Sequence, residues 1–234
     1  MRTVLNTGYA VREFAPYTVI FKQTHPHIPD ILGDKPLLGE ESVIHGRNRM
    51  RIIEPDLIVR PLTHGGSLRH ITGSRFLSIK RSLREIEISS YLRSKNIPTP
   101  EILAVRYRKN GVFFSIEVIT ALVPESIDLL VFLEKNPGDS EELLIRAGRL
   151  VQNIHRLGVY HTDLHVKNIL LDRDMEPWII DLDNAYRFTT LPSLLRAKNL
   201  RRFIHSLKKW EKKGRITLSS GWEEAFMNGY TAPG

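Results

Sequence analysis

Residues 159–187 read VYHTDLHVKNILLDRDMEPWIIDLDNAYR. A loop, His161-Thr162-Asp163-Leu164-His165-Val166-Lys167-Asn168, runs into a short apolar strand through Leu171. An Asp-rich turn follows, then a second strand, Trp178-Ile179-Ile180, ending on Asp181. Such a hairpin brings the loop before its first strand and the residue after its second to the same end. Asp163, Asn168 and Asp181, the last of them thirteen residues beyond Asn168, are therefore expected to converge on one oxygen-rich spot. An amide oxygen and a carboxylate are hard donors that suit Mg²⁺, which keeps waters and takes its other ligands from phosphates. A second carboxylate, not bound to metal, can accept a proton from an attacking hydroxyl. Metal, base and positioning are the parts of a phosphoryl-transfer site. A bare H-x-D-L signals little; the full ordered set, with its apolar strand and Ile-Ile-Asp, signals much more.

On the N-terminal side of this loop a helix is expected from Asp139, with Glu142 three residues on as a capping-box partner. Leu143, Ala147, Leu150, Val151, Ile154 and Leu157 form its apolar stripe, and Gly158 ends it. Further back, EILAVRYRKNGVFFSIEVIT reads as a hairpin around Lys109-Asn110-Gly111. TGSRFLSIKRSLREIEISSYLRSKNIPTP (72–100) reads as a helix with Leu83, Ile86, Tyr91 and Leu92 on one side and Ile79 before them, stopping before Pro98. SVIHGRNRMRII and PDLIVRPL are short and β-branched, like strands. Residues 1–40 are dense in Pro, Gly and His and are expected to be an irregular lead-in. The predicted class is α+β: a small, mainly antiparallel β lobe over 1–120 with one key helix, then a short, mainly helical lobe over 121–234.

Composition narrows the chemistry. The 234 residues are 41% hydrophobic and 26% charged, ordinary for a globular chain. There is no cysteine, which excludes disulfide scaffolds, Cys-ligated zinc and thiol nucleophiles. The opening MRTVLNTGYAVREF has no long apolar core, so a secretory leader is not expected. The formal net charge is +8. Residues 188–234 alone carry nine Lys and Arg against three Glu, much of it on a helix from about Leu194 with Leu195, Leu200, Phe203, Ile204, Leu207 and Trp210 interleaved. Such a block suits an anionic partner.

The segment 159–187 resembles the catalytic and metal-binding loops of the protein-kinase-like superfamily, with Asp181-Leu182-Asp183 where most members have D-F-G. Its wording is most similar to bacterial lipopolysaccharide kinases, and among them the 3-deoxy-D-manno-octulosonic acid (Kdo) kinases. LIVRPLTHGG, SIKRSLREIEISSYLRSKNIPTPEILAVRY and NLRRFIHSLKKW support that likeness, which runs from about Val43 to Tyr230. The resemblance implies a protein-kinase-like two-lobed fold using ATP and Mg²⁺. It implies Asp163 as the catalytic residue and Asn168 and Asp181 as metal ligands, with His161 bracing the loop. Arg60 would meet the nucleotide phosphates in place of the usual Lys, with Glu85 as its partner and Glu87 as the competing residue. Gly46 stands in a thin phosphate loop, the Val118 main chain in the adenine hinge, and Lys167 beside phosphate charge.

The implied acceptor is the 4-hydroxyl of Kdo on a Kdo-lipid A precursor, with the basic C-terminal helix on the anionic cytoplasmic face of the bacterial inner membrane. No nucleic acid is expected. A lipopolysaccharide core heptose kinase and a RIO- or Bud32-like protein kinase are the alternatives.

Overall fold

A computed structural model describes residues 8–33, 50–54, 56–62, 76–138 and 140–233. The chain divides into two compact units, Met1–Ser90 with Pro100–Leu122, and Tyr91–Thr99 with Val123–Gly234. Gly46 and Asp139, which the sequence singles out as a phosphate-loop glycine and a helix start, lie outside the described residues.

The first unit is built on a six-stranded antiparallel sheet, in the order β1-β2-β5-β6-β4-β3. Its strands are β1 (Tyr9–Phe14), β2 (Tyr17–Lys22), β3 (Arg51–Glu54), β4 (Leu57–Pro61), β5 (Ile102–Asn110) and β6 (Phe113–Ala121). Side chains alternate across a strand, and here both faces are apolar. Val19, Leu57, Val59, Ile119 and the short helix α1 (Ile28–Leu32) form one core. Ile20, Val105, Ile116 and Val118 meet Leu83 and Ile86 of helix α2 (Lys80–Ser94) in the other.

The β5–β6 hairpin turns where the Asn-Gly pair predicts, with Gly111 at φ 60°. The lead-in is not irregular: β1, β2 and α1 all fall within residues 1–40. The Tyr17–Lys22 segment, YTVIFK, is rich in β-branched and aromatic residues, and it pairs with β1 on one side and β5 on the other, Ile20 opposite Val105.

The second unit holds α3 (Leu129–Lys135), α4 (Glu141–Arg156), α5 (Ser193–Lys212) and α6 (Trp222–Thr231), with the short strands β7 (Ile127–Asp128), β8 (Val159–Tyr160), β9 (Ile169–Leu171), β10 (Pro177–Ile179) and β11 (Tyr186–Arg187). Strands β10, β9 and β7 form one sheet, and β11 pairs with β8. Helix α4 buries Leu143, Ala147, Leu150, Val151 and Ile154, the predicted stripe. Glu142 bonds Arg146 one turn on, at 3.0 Å. Helices α4 and α6 touch through glycines: a Cβ on Gly148 would stand 2.2 Å from the Phe226 carbonyl oxygen, and one on Gly229 2.0 Å from that of Ile145. Gly158 ends the α4 turn at φ 78°.

The basic helix differs from its sequence reading. Leu194 is 71% exposed, and the side that packs inward carries Asn199, Phe203, Ser206 and Leu207. Two of those four are polar, and their partners lie in the loop of Asp163.

Candidate active site

Registration of β9 against β10 sets the site. Ile169 lies opposite Ile179, and the Ile180 N–H bonds the Asn168 carbonyl oxygen at 3.0 Å. Asn168 and Asp181 thus flank the same end of one hairpin, as the spacing predicts. Asp181 adopts the left-handed conformation, φ 62° and ψ 55°, which costs a non-glycine residue on the order of 1 kcal/mol and persists where the surroundings impose it.

His161 joins the pieces. Its ring is buried; Nε2 donates to the Ile180 carbonyl oxygen at 2.9 Å, and Nδ1 accepts the Asp163 N–H at 3.3 Å. One nitrogen donating and the other accepting is the neutral imidazole. Burial holds its pKa below the ordinary histidine value in agreement. Asn168 closes the loop by donating from Nδ2 to the Asp163 carbonyl oxygen at 2.9 Å.

The Asp163 carboxylate is 47% exposed and lies 3.4 Å from His165 Nε2 and 3.2 Å from the Arg202 guanidinium. Its hydrogen bond to His165, then the charges of His165 and Arg202, hold it down to about 2 against the opposing effect of partial burial. It is ionised throughout the neutral range, a hydrogen-bond acceptor that orients a hydroxyl better than it removes the proton early.

Helix α5 supplies supports that the sequence reading missed. Asn199 takes the His161 N–H on Oδ1 at 3.2 Å and donates from Nδ2 to the His161 carbonyl oxygen at 2.7 Å. Arg202 donates to the Thr162 carbonyl oxygen at 2.5 Å, and Ser206 Oγ accepts the Val166 N–H at 3.0 Å. Positions 199, 202 and 206 share one helix face, so the available signal was polar residues at spacing three and four inside an apolar stripe. Behind them His155 lies 3.1 Å from Asn199 Oδ1 and 3.0 Å from the Tyr230 hydroxyl; desolvation lowers it to about 4. Asp128 caps α3 through the Leu130 N–H at 2.7 Å, and burial pushes it up to about 6.

The donor set fits a magnesium ion in its chemistry. The Asn168 amide is oriented by its own N–H, so that Oδ1 is the atom it could offer a cation, and Asp181 adds a carboxylate. Among the described residues no group of three or more His, Asp or Glu is arranged to hold a metal alone. Two protein oxygens with water and phosphate completing the shell are what Mg²⁺ accepts.

The first unit carries its own constellation. Arg60 and Glu85 are both buried and bond at 2.5 Å. Strand alternation turns Arg60 to the face that α2 covers, while Glu87 is only half-buried. Val118 lies opposite Arg60 on one side and Val105 on the other. Residues 117–120 thus have a strand on each flank, and a hinge read there is corrected: main-chain groups in the sheet interior already serve the ladder, and β6 ends only at Ala121. Lys167 lies with its ammonium 4.7 Å from the Trp210 ring centre.

The lipopolysaccharide kinase (Kdo/WaaP) family model matches residues 48–230, a stretch that contains the loop, the hairpin and α5, and the chain belongs to that family. The individual relatives are more specific. A 3-deoxy-D-manno-octulosonic acid kinase of Vibrio cholerae serotype O1 is 33% identical over 129 residues, 55% of this chain and 54% of that protein. One from Vibrio vulnificus strain CMCP6 is 31% identical over 62% of this chain and 64% of its own length. Another, from Xylella fastidiosa strain M23, is 30% identical over 65% and 61%. The matched stretches thus cover about half to two thirds of these relatives.

Proposed function

We propose that this chain is an ATP-dependent phosphotransferase of protein-kinase-like fold, acting on a sugar hydroxyl of the lipopolysaccharide inner core, the 4-hydroxyl of Kdo on a Kdo-lipid A precursor. The observation that carries the reading is the hairpin end where Asn168 and Asp181 meet beside an Asp163 whose loop His161 braces. Family membership and the names of the similar proteins support the acceptor class.

Asp163 accepts the hydrogen bond of the sugar hydroxyl and turns its oxygen toward the γ-phosphorus of ATP. As that oxygen bonds phosphorus, the bond to the β-phosphate oxygen breaks and ADP departs; the hydroxyl proton passes to Asp163 late, as its low basicity requires. Asn168 Oδ1 and the Asp181 carboxylate hold magnesium, which, when bound, offsets the charge of the triphosphate. Arg60, fixed by Glu85, and Lys167 complement phosphate charge. Val118 supports Arg60 from the neighbouring strand.

The reaction takes place on the cytoplasmic face of the inner membrane, where Lys198, Arg201 and Lys212 of α5 meet anionic lipid, each contributing about 1 kcal/mol near such a surface. Among the described residues no helix is long and apolar enough to cross a membrane. The test supplies labelled ATP with purified Kdo-lipid A precursor, a heptosylated core and a protein extract as parallel acceptors. Label on the Kdo precursor is expected; label on the heptose or on protein alone rejects the reading.

A further inference from the structure

Four cations of the second unit gather on one indole. Lys167 Nζ lies 4.7 Å from the Trp210 ring centre, Lys213 Nζ 5.0 Å, the Arg215 guanidinium carbon 5.5 Å and Lys209 Nζ 5.9 Å. Three belong to the end of α5 and the turn after it; Lys167 belongs to the catalytic loop, adjacent to Asn168. Glu134 bridges Arg215 at 2.7 Å, and the charge of Asp128 acts on Lys167. Lys209 and Lys213 stand exposed, with Glu211 between them in sequence also exposed.

An aromatic ring attracts cations through its two faces, and with Glu134 on Arg215 and Asp128 near Lys167 the exposed Lys209 and Lys213 are the charges left to balance. Any two of these charges lie within about 12 Å, close to the screening length of ~8–10 Å at moderate salt, and repel one another. The arrangement becomes favourable when a multiply charged anion joins it. The position of Lys167 ties the patch to the loop that carries Asp163.

We propose that the Trp210 cluster is a subsite for the anionic part of the saccharide acceptor, a phosphate or carboxylate carried by the acceptor itself, not by the surrounding bilayer. This rests on the phosphotransferase reading above and deepens it by naming where the acceptor's charge is held. The subsite selects acceptors that bear an anion near the reacting hydroxyl.

The test compares the full chain with Lys209→Ala/Lys213→Ala and with a charge-matched control, Lys95→Ala/Arg173→Ala. Inorganic pyrophosphate is titrated by tryptophan fluorescence with ADP saturating, Trp210→Phe giving the blank signal. Acceptor and ATP KM values are measured alongside, with co-sedimentation on phosphatidylglycerol–phosphatidylethanolamine vesicles. The Lys209/Lys213 variant is expected to bind pyrophosphate at least fivefold more weakly and to raise the acceptor KM about tenfold. Its ATP KM stays within twofold and its vesicle binding is unchanged, and the control behaves as wild type. Unchanged pyrophosphate affinity, an equal loss in the control, or a loss confined to vesicle binding overturns the proposal. Pyrophosphate binding needs no turnover. Weakened binding in a chain that phosphorylates no saccharide would keep the anion site and reject the phosphotransferase reading instead.

Discussion

Arg202, one turn beyond Asn199 on helix α5, reaches the Asp163 carboxylate at 3.2 Å while donating to the Thr162 carbonyl oxygen beside it. One guanidinium thereby fixes both the main chain and the side chain of the same loop. A half-exposed ion pair is worth little to stability, so its value here lies in orientation. Replacing Arg202 by Ala is expected to lower kcat about tenfold, a loss of roughly 1.4 kcal/mol in transition-state stabilisation. The ATP KM stays within threefold and the thermal midpoint shifts by less than about 2 °C. Lysine, which keeps the charge but not the fork, recovers only part of the rate. Steady-state kinetics beside a melting curve check it.

Asp163→Asn keeps the shape of the loop and its bond from Asn168, which uses the main-chain oxygen. It removes the charge proposed to accept the hydroxyl proton. Turnover should fall by roughly 10²–10⁴-fold, with ATP affinity by calorimetry changed less than about threefold. Wild-type turnover in this variant would remove Asp163 from the chemistry.

These two residues differ in how visible they were beforehand. The loop, the hairpin and the α4 stripe could be read from local order, because strand alternation and helix period are local properties and Asp163, Asn168 and Asp181 lie within nineteen residues of one another. Arg202 and Asn199 lie some forty residues downstream in a basic helix, and the atoms of the His161-Thr162 stretch that they hold belong to the main chain, which leaves no mark on composition. The β1–β2 hairpin was local too, with β-branched and aromatic residues in YAVREF and YTVIFK around Ala15-Pro16, but the Pro, Gly and His of residues 23–40 outweighed it.

Stability should fall on the acid side of neutrality through His155, which is 1% exposed and whose folded pKa is about 4 against an ordinary 6.5. Above pH 6.5 both folded and unfolded chains carry it neutral and its contribution is complete. Below 6.5 the unfolded chain binds a proton that the folded chain refuses, so stability declines until about pH 4, by roughly 3 kcal/mol in all. His161 is depressed in the same direction and adds to the slope. Urea midpoints from pH 7 to 4.5 should fall less steeply in His155→Gln, which does not titrate.

Gly148 should tolerate no side chain. A methyl there meets the Phe226 carbonyl oxygen at 2.2 Å and the Tyr230 nitrogen at 2.8 Å, both main-chain atoms that move only with the helix. Gly148→Ala is expected to cost at least about 1–3 kcal/mol, a fall of several degrees in thermal midpoint. Gly221→Ala, whose Cβ would meet only the end of the Glu141 side chain at 3.4 Å at an ordinary φ of −94°, should stay within about 0.5 kcal/mol. Differential scanning calorimetry on the two variants separates close helix approach from the general effect of adding a methyl to glycine.

The Arg60–Glu85 pair separates charge from packing in the first unit. Both side chains are less than a tenth exposed and 2.5 Å apart, so removing one partner leaves the other's charge in a poorly solvated place, at a cost of about 3–5 kcal/mol. Glu85→Leu is therefore expected to destabilise by that amount. Arg60→Met/Glu85→Leu, which removes both charges and keeps the volume, should recover most of the loss. Activity should not follow stability: the double variant folds but lacks the cation proposed for the nucleotide phosphates, and its ATP KM should rise at least tenfold. A double variant with both wild-type stability and wild-type ATP KM would confine the pair to a structural role.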